Sequence, residues 1–284
     1  MATVAPGVPE HLALVAQKAI ISNVDKGMAA LPIKTLMTRI GAEFDRFVVA
    51  RCEVAGAWAR DTALPVAMDP AQDIDVLVVF RERGHLPAHY LALLHGFVQL
   101  HYPPSAIEYQ DGCLRLKLLQ VRLRLVPAHE SLTGMQIPGG GRSWVRIDPA
   151  AALQQLTSRD AQHGGLILPV VRLARYWNVR NGRVFAGWAL EQKVLGHRFG
   201  YVGKNLKAYW FDFMRALIVE PAASPARAEA VRKMRRDLDE IDQLSLAGKA
   251  ADATARIEQM LPIPARLLLS SPFGGAGGYK PLKL

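Results

Sequence analysis

Two cysteines in 284 residues, Cys52 and Cys113, cannot supply a disulfide framework or a cysteine-built zinc site, and their scarcity fits a reducing compartment. Cys52 falls in a helix-like context and Cys113 in a strand-like one. Long apolar runs are also missing. No stretch approaches the roughly 20 apolar residues that span a bilayer, so no membrane partner is expected. The opening MATVAPGVPEHLALVAQKAIISNVDKG lacks the basic start, apolar core and small-residue cleavage site of an export signal, and a soluble, cytoplasmic protein is the expectation. The eight histidines show no metal-ligand spacing in a recognisable motif, and no chemistry is assigned to them.

Acidic residues are in deficit, 25 against 35 Lys and Arg, and the formal net charge of +10 favours anionic partners: nucleotides, nucleic acid or acidic protein surfaces. The same total is compatible with a basic protein that is merely soluble. Half of the residues are hydrophobic and 21% are charged, which is the composition of an ordered globular chain long enough for one large domain or two lobes.

Apolar spacing predicts helices over Leu12–Ile21 and Ile33–Val54, with Pro32 at the start of the second. DIDVLVVF reads as a strand entering a sheet core, RERGHLP as a loop, and Tyr90–Leu100 as a helix. In CLRLKLLQVRLRLVPA strict alternation predicts a half-buried hairpin with a basic outer side. IPGGGRSW reads as a loop, and Asp148 and Pro149 take the N-cap and first positions of the helix that follows it. LILPVVRLARYWNVR reads as a further helix, EPAASPARAEA as a loop, VRKMRRDLDEIDQL as a charged helix and SSPFGGAGGYKPLKL as a flexible tail. Strands early and helices late predict an α+β lobe packed on a helical lobe.

Residues two apart in a strand share a face, so Asp73 and Asp75 present paired carboxylates, the hard oxygen ligands that Mg²⁺ takes together with substrate phosphates. Alone, such a pair is more often a solvated strand end. Its surroundings raise its weight. GAWARDTAL, DIDVLVVF, LRLVPA, IPGGGRSWVRIDPAAAL, LPVVRLARYWN and GWALEQKVL, in that order, resemble successive motifs of the polymerase-β-type nucleotidyltransferases, and among them most of all the bacterial CD-NTases, relatives of cyclic GMP-AMP synthase and oligoadenylate synthase.

The resemblance implies a nucleotidyltransferase core lobe over 1–145 (a mixed sheet with helices), a helical lobe over 146–270, and a tail over 271–284. It also implies transfer of a nucleotidyl group to a hydroxyl, with Mg²⁺ as cofactor, and a product that signals phage infection. The implied site comprises Asp73 and Asp75 as metal ligands and Gly56, Ala57, Arg175 and Glu191 around the nucleotide. Trp210, beside Tyr209, reads either as core packing or as a base-stacking face of that site, and Trp177 and Tyr176 as core.

Against the family pattern, the loop serine is Ala57, a loop glycine is Asp61, a serine that touches the triphosphate is Gly187, and the third carboxylate is Arg124. A guanidinium can neither ligate a metal nor accept a proton. A tight hairpin would set Arg115 opposite Arg124 and Lys117 opposite Arg122, like charges that need neutralising. The expectation is that Arg124 replaces the metal and bonds the two carboxylates, or that an anionic ligand sits there. Three functional readings follow: a pseudoenzyme of antiphage signalling that binds nucleotide, oligonucleotide or a defence-system protein partner, an active synthase of an oligonucleotide second messenger, and an RNA- or DNA-binding module. Arg232, Lys233, Arg235 and Arg236 read as a solvated helix face paired with Asp237, Asp239 and Glu240.

Overall fold

The structure is a computed structural model that describes residues 7–46, 48–110, 112–119, 121–131, 134–139, 143–200, 203–220 and 224–268. The tail from 269 onward lies outside the described residues. The fold is α+β. Its strands are β1 (Val49–Ala55), β2 (Ile74–Phe80), β3 (Ile107–Gln110), β4 (Cys113–Lys117), β5 (Arg122–Ser131), β6 (Gly134–Pro138) and β7 (Trp144–Ile147). They form one mixed sheet in the order β1-β2-β5-β4-β3, with β6 and β7 continuing from β5. The β2–β5 pair is parallel and the other pairs are antiparallel.

Strand periodicity divides this sheet into two unlike faces. One carries Val76, Val78, Leu114, Leu116, Leu123 and Leu125, and buries them with Leu36 and Ile40 of α2 (Asn23–Glu43) and Leu94 and Phe97 of α4 (Pro87–His101). The opposite face has only a small apolar patch of Ala55, Leu77, Val79, Cys113, Val126 and Ala128. Asp75 and Arg124 lie on that face, at the end where β2 begins.

A separate helical core joins α1 (Val8–Lys18), α5 (Pro149–Gln162), α6 (Ile167–Arg180), α7 (Gly187–Gly196), α8 (Leu206–Ala216), α9 (Pro225–Leu246) and α10 (Ala250–Met260). The apolar residues Val8, Leu12 and Val15 of α1 are buried in it, so α1 packs with the late helices. Asp148 caps α5 as its sequence predicts, its Oδ1 accepting from the Ala151 amide. No described helix is long and apolar enough to cross a membrane.

Several expected elements differ. The helix expected to reach Val54 ends at Glu43, and Val49–Ala55 is a strand whose Val54 pairs with Val76 and Ala55 with Asp75. Valine-rich sequence continued the apolar spacing of α2, but β-branched residues beside an open edge of β2 favour pairing. Cys52 therefore sits in a strand, where burial, with Glu53 adding, pushes its thiol up to about 12. Pro32 lies inside α2, whose cap is Ser22, with Oγ accepting from the Asp25 amide. Part of the expected IPGGGRSW loop is strand, Pro138 of β6 pairing with Trp144 of β7. The loop expected over EPAASPARAEA gives way at Pro225 to α9, capped by Ser224.

Candidate functional site

The β4–β5 hairpin has the register expected of a tight turn: Arg115 opposite Arg124, and Lys117 opposite Arg122. Four cations thus face one another across two strands, and the neighbouring strands neutralise them. Arg124 Nε donates to Asp75 Oδ1 at 2.6 Å. Asp73, one residue before β2, accepts from Arg115 Nε at 2.7 Å and from Arg122 Nε at 3.0 Å, one on each oxygen. Lys117 pairs with Glu108 of β3. The expected single fork from Arg124 across both carboxylates is replaced by a division: Arg124 holds Asp75, while Arg115 and Arg122 hold Asp73. Burial would push the Arg124 guanidinium down, but the Asp75 charge and hydrogen bond outweigh it and hold Arg124 charged.

Asp75 is also fixed from the other side. Gly56, at the exit of β1, has φ +65°, and a Cβ there would lie 1.9 Å from Asp75 Oδ2. Only glycine allows the carboxylate to approach this turn, because the left-handed conformation disfavours other residues as well. The turn leads into α3 (Gly56–Ala59), which includes Ala57. Asp61 keeps the positive φ (+57°) that a glycine would take more easily. Its charge is not left facing the site: Arg172 Nη2 donates to its Oδ2 at 2.7 Å and Lys26 Nζ to its Oδ1 at 3.1 Å.

The helical core contributes Glu191 of α7, which is fully buried. Arg60 grips it through Nε at 2.6 Å and Nη2 at 3.3 Å, and Thr62 Oγ1 donates to it at 2.9 Å. The Arg60 guanidinium also covers the ring of Trp188, which is 49% exposed, at 4.6 Å. Sequence reading missed Arg60, Thr62 and Trp188; the signal was the proximity of ARDT to the Gly56 turn and of Trp188 to Glu191. Arg175 lies against Gly187, where a Cβ would be 3.0 Å from its Nη1, so the missing side chain at Gly187 makes room for this guanidinium. Burial pushes Arg175 down while the charges of Glu191 and Asp69 push it up, and its buried Nε has no partner among the described residues. Trp210 must be removed from the set: at 0% exposure inside the helical core it offers no face to a base. Trp177 and Tyr176 are core as well.

This donor set does not fit Mg²⁺. Both oxygens of Asp73 and one of Asp75 already accept from arginine, and among the described residues no group of three ligand side chains forms around them. A divalent ion about 5 Å from the Arg124 guanidinium would meet a repulsion of roughly 7 kcal/mol at an effective dielectric of about 20, which offsets much of the carboxylates' attraction.

The fold has known counterparts. Residues 8–160 match the family described as Second Messenger Oligonucleotide or Dinucleotide Synthetase domain, SMODS. A probable cyclic nucleotide synthase of Bacillus cereus (strain VD146) is 22% identical over 130 residues, a match that takes in 43% of this chain and 37% of that protein's length. Among solved structures, E. coli MS115-1 CdnC with ATP is similar at a TM-score of 0.68 and 16% identity, covering 89% of this chain and 96% of the other. The same protein in its HORMA-deltaN complex matches at 0.66 and 16% identity, covering 90% and 97%. The Bradyrhizobium diazoefficiens CD-NTase CdnG in complex with GTP matches at 0.65 and 12% identity, covering 88% and 96%. These structural likenesses carry the fold, and the family match extends over more than half of the sequence. The chain therefore belongs to the SMODS family, with a CD-NTase fold of the polymerase-β-like nucleotidyltransferase type.

Proposed function

We propose that this chain binds a phosphate-bearing ligand, a nucleotide or short oligonucleotide, beside the charged end of the sheet, the Gly56 turn and α7, and that it is catalytically impaired. The observation that carries this reading is the 2.6 Å bond from Arg124 to Asp75, at the position where the family pattern has a third carboxylate. Two-metal catalysis uses carboxylates to hold ions that clamp both the attacking and the leaving oxygens. Here arginines have taken those carboxylates. A guanidinium can hold a phosphate electrostatically and through paired hydrogen bonds, but it supplies no base for the attacking hydroxyl. Arg175, whose guanidinium lies against Gly187 at the start of α7, adds a further positive charge at this end of the site.

The deciding experiment incubates purified protein with labelled nucleoside triphosphates and Mg²⁺ or Mn²⁺, and measures nucleotide binding with and without EDTA. Binding that persists in EDTA, with no pyrophosphate released, is the expected result. A product that disappears on Asp75→Ala overturns the reading.

A second reading, an active second-messenger synthase, is supported by the family match and by the presence of Gly56, Asp73, Asp75 and Glu191 at the matching positions. It needs Arg124 to swing away so that Mg²⁺ can enter. The net charge of +10 supports a third, contact with RNA or DNA, which predicts affinity falling steeply with salt. CdnC has been seen with a HORMA protein, and this supports a proposed role beside a protein partner; a place in bacterial antiphage signalling, in the cytoplasm, belongs to the same proposal. The division into a core lobe to about residue 145 and a helical lobe beyond it belongs to the same proposal, with α1 assigned to the helical lobe.

A further inference from the structure

The loop from β2 to α4 gathers ligand-type side chains that sequence spacing did not mark. Glu82, His85 and His89 place a carboxylate oxygen and two imidazole nitrogens within 4.8 Å of one another. His85 Nε2 is 2.9 Å from Glu82 Oε1, and the His85 and His89 rings stack with centroids 4.1 Å apart. We propose that these three residues form a binding site for a divalent transition metal of the Zn²⁺ or Ni²⁺ class.

Three observations support the site. Its ligand-bearing backbone is held from beneath: the buried Tyr90 donates through its hydroxyl to the Glu82 carbonyl at 2.8 Å, and Trp144 Nε1 donates to the His85 carbonyl at 3.2 Å. Arg81, at the loop's entrance, donates through Nε to the Arg46 carbonyl at 2.6 Å. His89 stands in the first turn of α4, next to Tyr90, so the third ligand is fixed by the same aromatic peg. All three side chains nevertheless reach solvent, which lets an ion enter and lets the rotamers close. Tetrahedral Zn²⁺ sets its ligand atoms about 3.4 Å apart, so atoms that already lie within 4.8 Å of one another need shift by little more than an ångström.

Two imidazoles and one carboxylate select imidazole-binding metals over Mg²⁺ or Ca²⁺, and three protein ligands leave a fourth coordination position for water. An imidazole nitrogen ligates a metal only when it carries no proton, so protons compete with the ion and affinity should rise with pH. The Arg81 guanidinium is tied to the Arg46 carbonyl, through an Nε bond of 2.6 Å. The site lies seven residues along the chain from Asp75, about 20 Å away at the far end of β2, and is independent of the carboxylate–arginine cluster.

The test uses untagged full-length protein, stripped with EDTA and titrated near neutral pH with Co²⁺ and then Zn²⁺. One equivalent of Co²⁺ should bind with visible bands of a tetrahedral nitrogen–oxygen site, be displaced by Zn²⁺, and resist millimolar Mg²⁺. His85→Ala and His89→Ala should each weaken binding on the order of tenfold or more, with an unchanged circular dichroism spectrum. If a histidine variant does not fold, Glu82→Gln decides, because Tyr90 bonds the main chain of Glu82. Absence of stoichiometric uptake, uptake that survives these substitutions, or a thiolate absorption band placing the metal on Cys52 or Cys113 would overturn the proposal.

Discussion

Arg124 donates through Nε to Asp75, and its terminal nitrogens have no acceptor among the described residues. The residue is thus both a plug for a carboxylate and a fork with donors to spare. Replacing it with the residue type that the family pattern places there separates these roles. Arg124→Asp removes the plug and supplies a third carboxylate. The expected outcome is Mg²⁺-dependent nucleotide binding, abolished by EDTA, together with a loss on the order of tenfold in metal-independent binding, since a charge-assisted bond contributes about 1.5 kcal/mol or more. Titration calorimetry with and without EDTA checks both, and an unchanged metal-free affinity would show that Arg124 does not touch the ligand. Trp210 teaches the converse lesson at this scale. Its aromatic type fitted a base-stacking role, but exposure decides whether a ring can meet a base, and burial is set by packing between helices that a linear sequence does not display.

At the scale of elements, the β4–β5 hairpin is a strand pair that its own side chains oppose. Like charges directly across an antiparallel pair are destabilising, and here Arg115 faces Arg124 while Lys117 faces Arg122. Asp73 offsets this by accepting from two of the arginines while only 10% exposed. Asp73→Asn should therefore destabilise the protein by about 2–4 kcal/mol, below the full cost of breaking a buried pair because Arg122 still reaches water. Urea unfolding reads this loss. Added phosphate should restore part of it by taking the place of the carboxylate charge, and an Asp73→Asn protein as stable as the parent would show that the arginines repel one another little.

The hairpin was legible because alternation fixes the faces and a tight turn fixes the register. Asp148 and Pro149 were legible because a cap is a local bond between near neighbours in sequence. By contrast, β1 continued the apolar spacing of α2, and only the edge of β2 turns Val49–Ala55 into a strand. The short strands β3, β6 and β7 likewise exist through their pairing. The Glu82, His85 and His89 cluster escaped notice because it depends on a loop folding back on the first turn of α4.

Across the whole molecule, the sheet and the helical core are joined by charged contacts that converge on one segment, residues 60–69. Arg60 bonds Glu191 of α7, Asp61 bonds Arg172 of α6, and Asp69 bonds Arg183 just beyond α6. Among these acids Glu191 and Asp69 are buried, and Glu191 has no exposure at all, so its charge is tolerated through the bonds of Arg60 and Thr62 and the nearby Arg175 guanidinium. A desolvated pair of this kind stabilises the fold less than its removal costs, because the partner left behind is a buried charge without compensation. Glu191→Gln keeps the shape and removes the charge, leaving Arg60 with one neutral amide acceptor and its contact to Trp188. A loss of about 3 kcal/mol is expected, together with weaker nucleotide binding, because the same bond positions the Gly56 turn against α7. Arg60→Met alone should be similarly harmful, and the double variant should cost at least 1 kcal/mol less than the sum of the two singles, the mark of direct coupling. Chemical denaturation of the four proteins closes this cycle. Strict additivity would mean that the two lobes are held by their apolar contacts and that the Arg60–Glu191 bond does not join them.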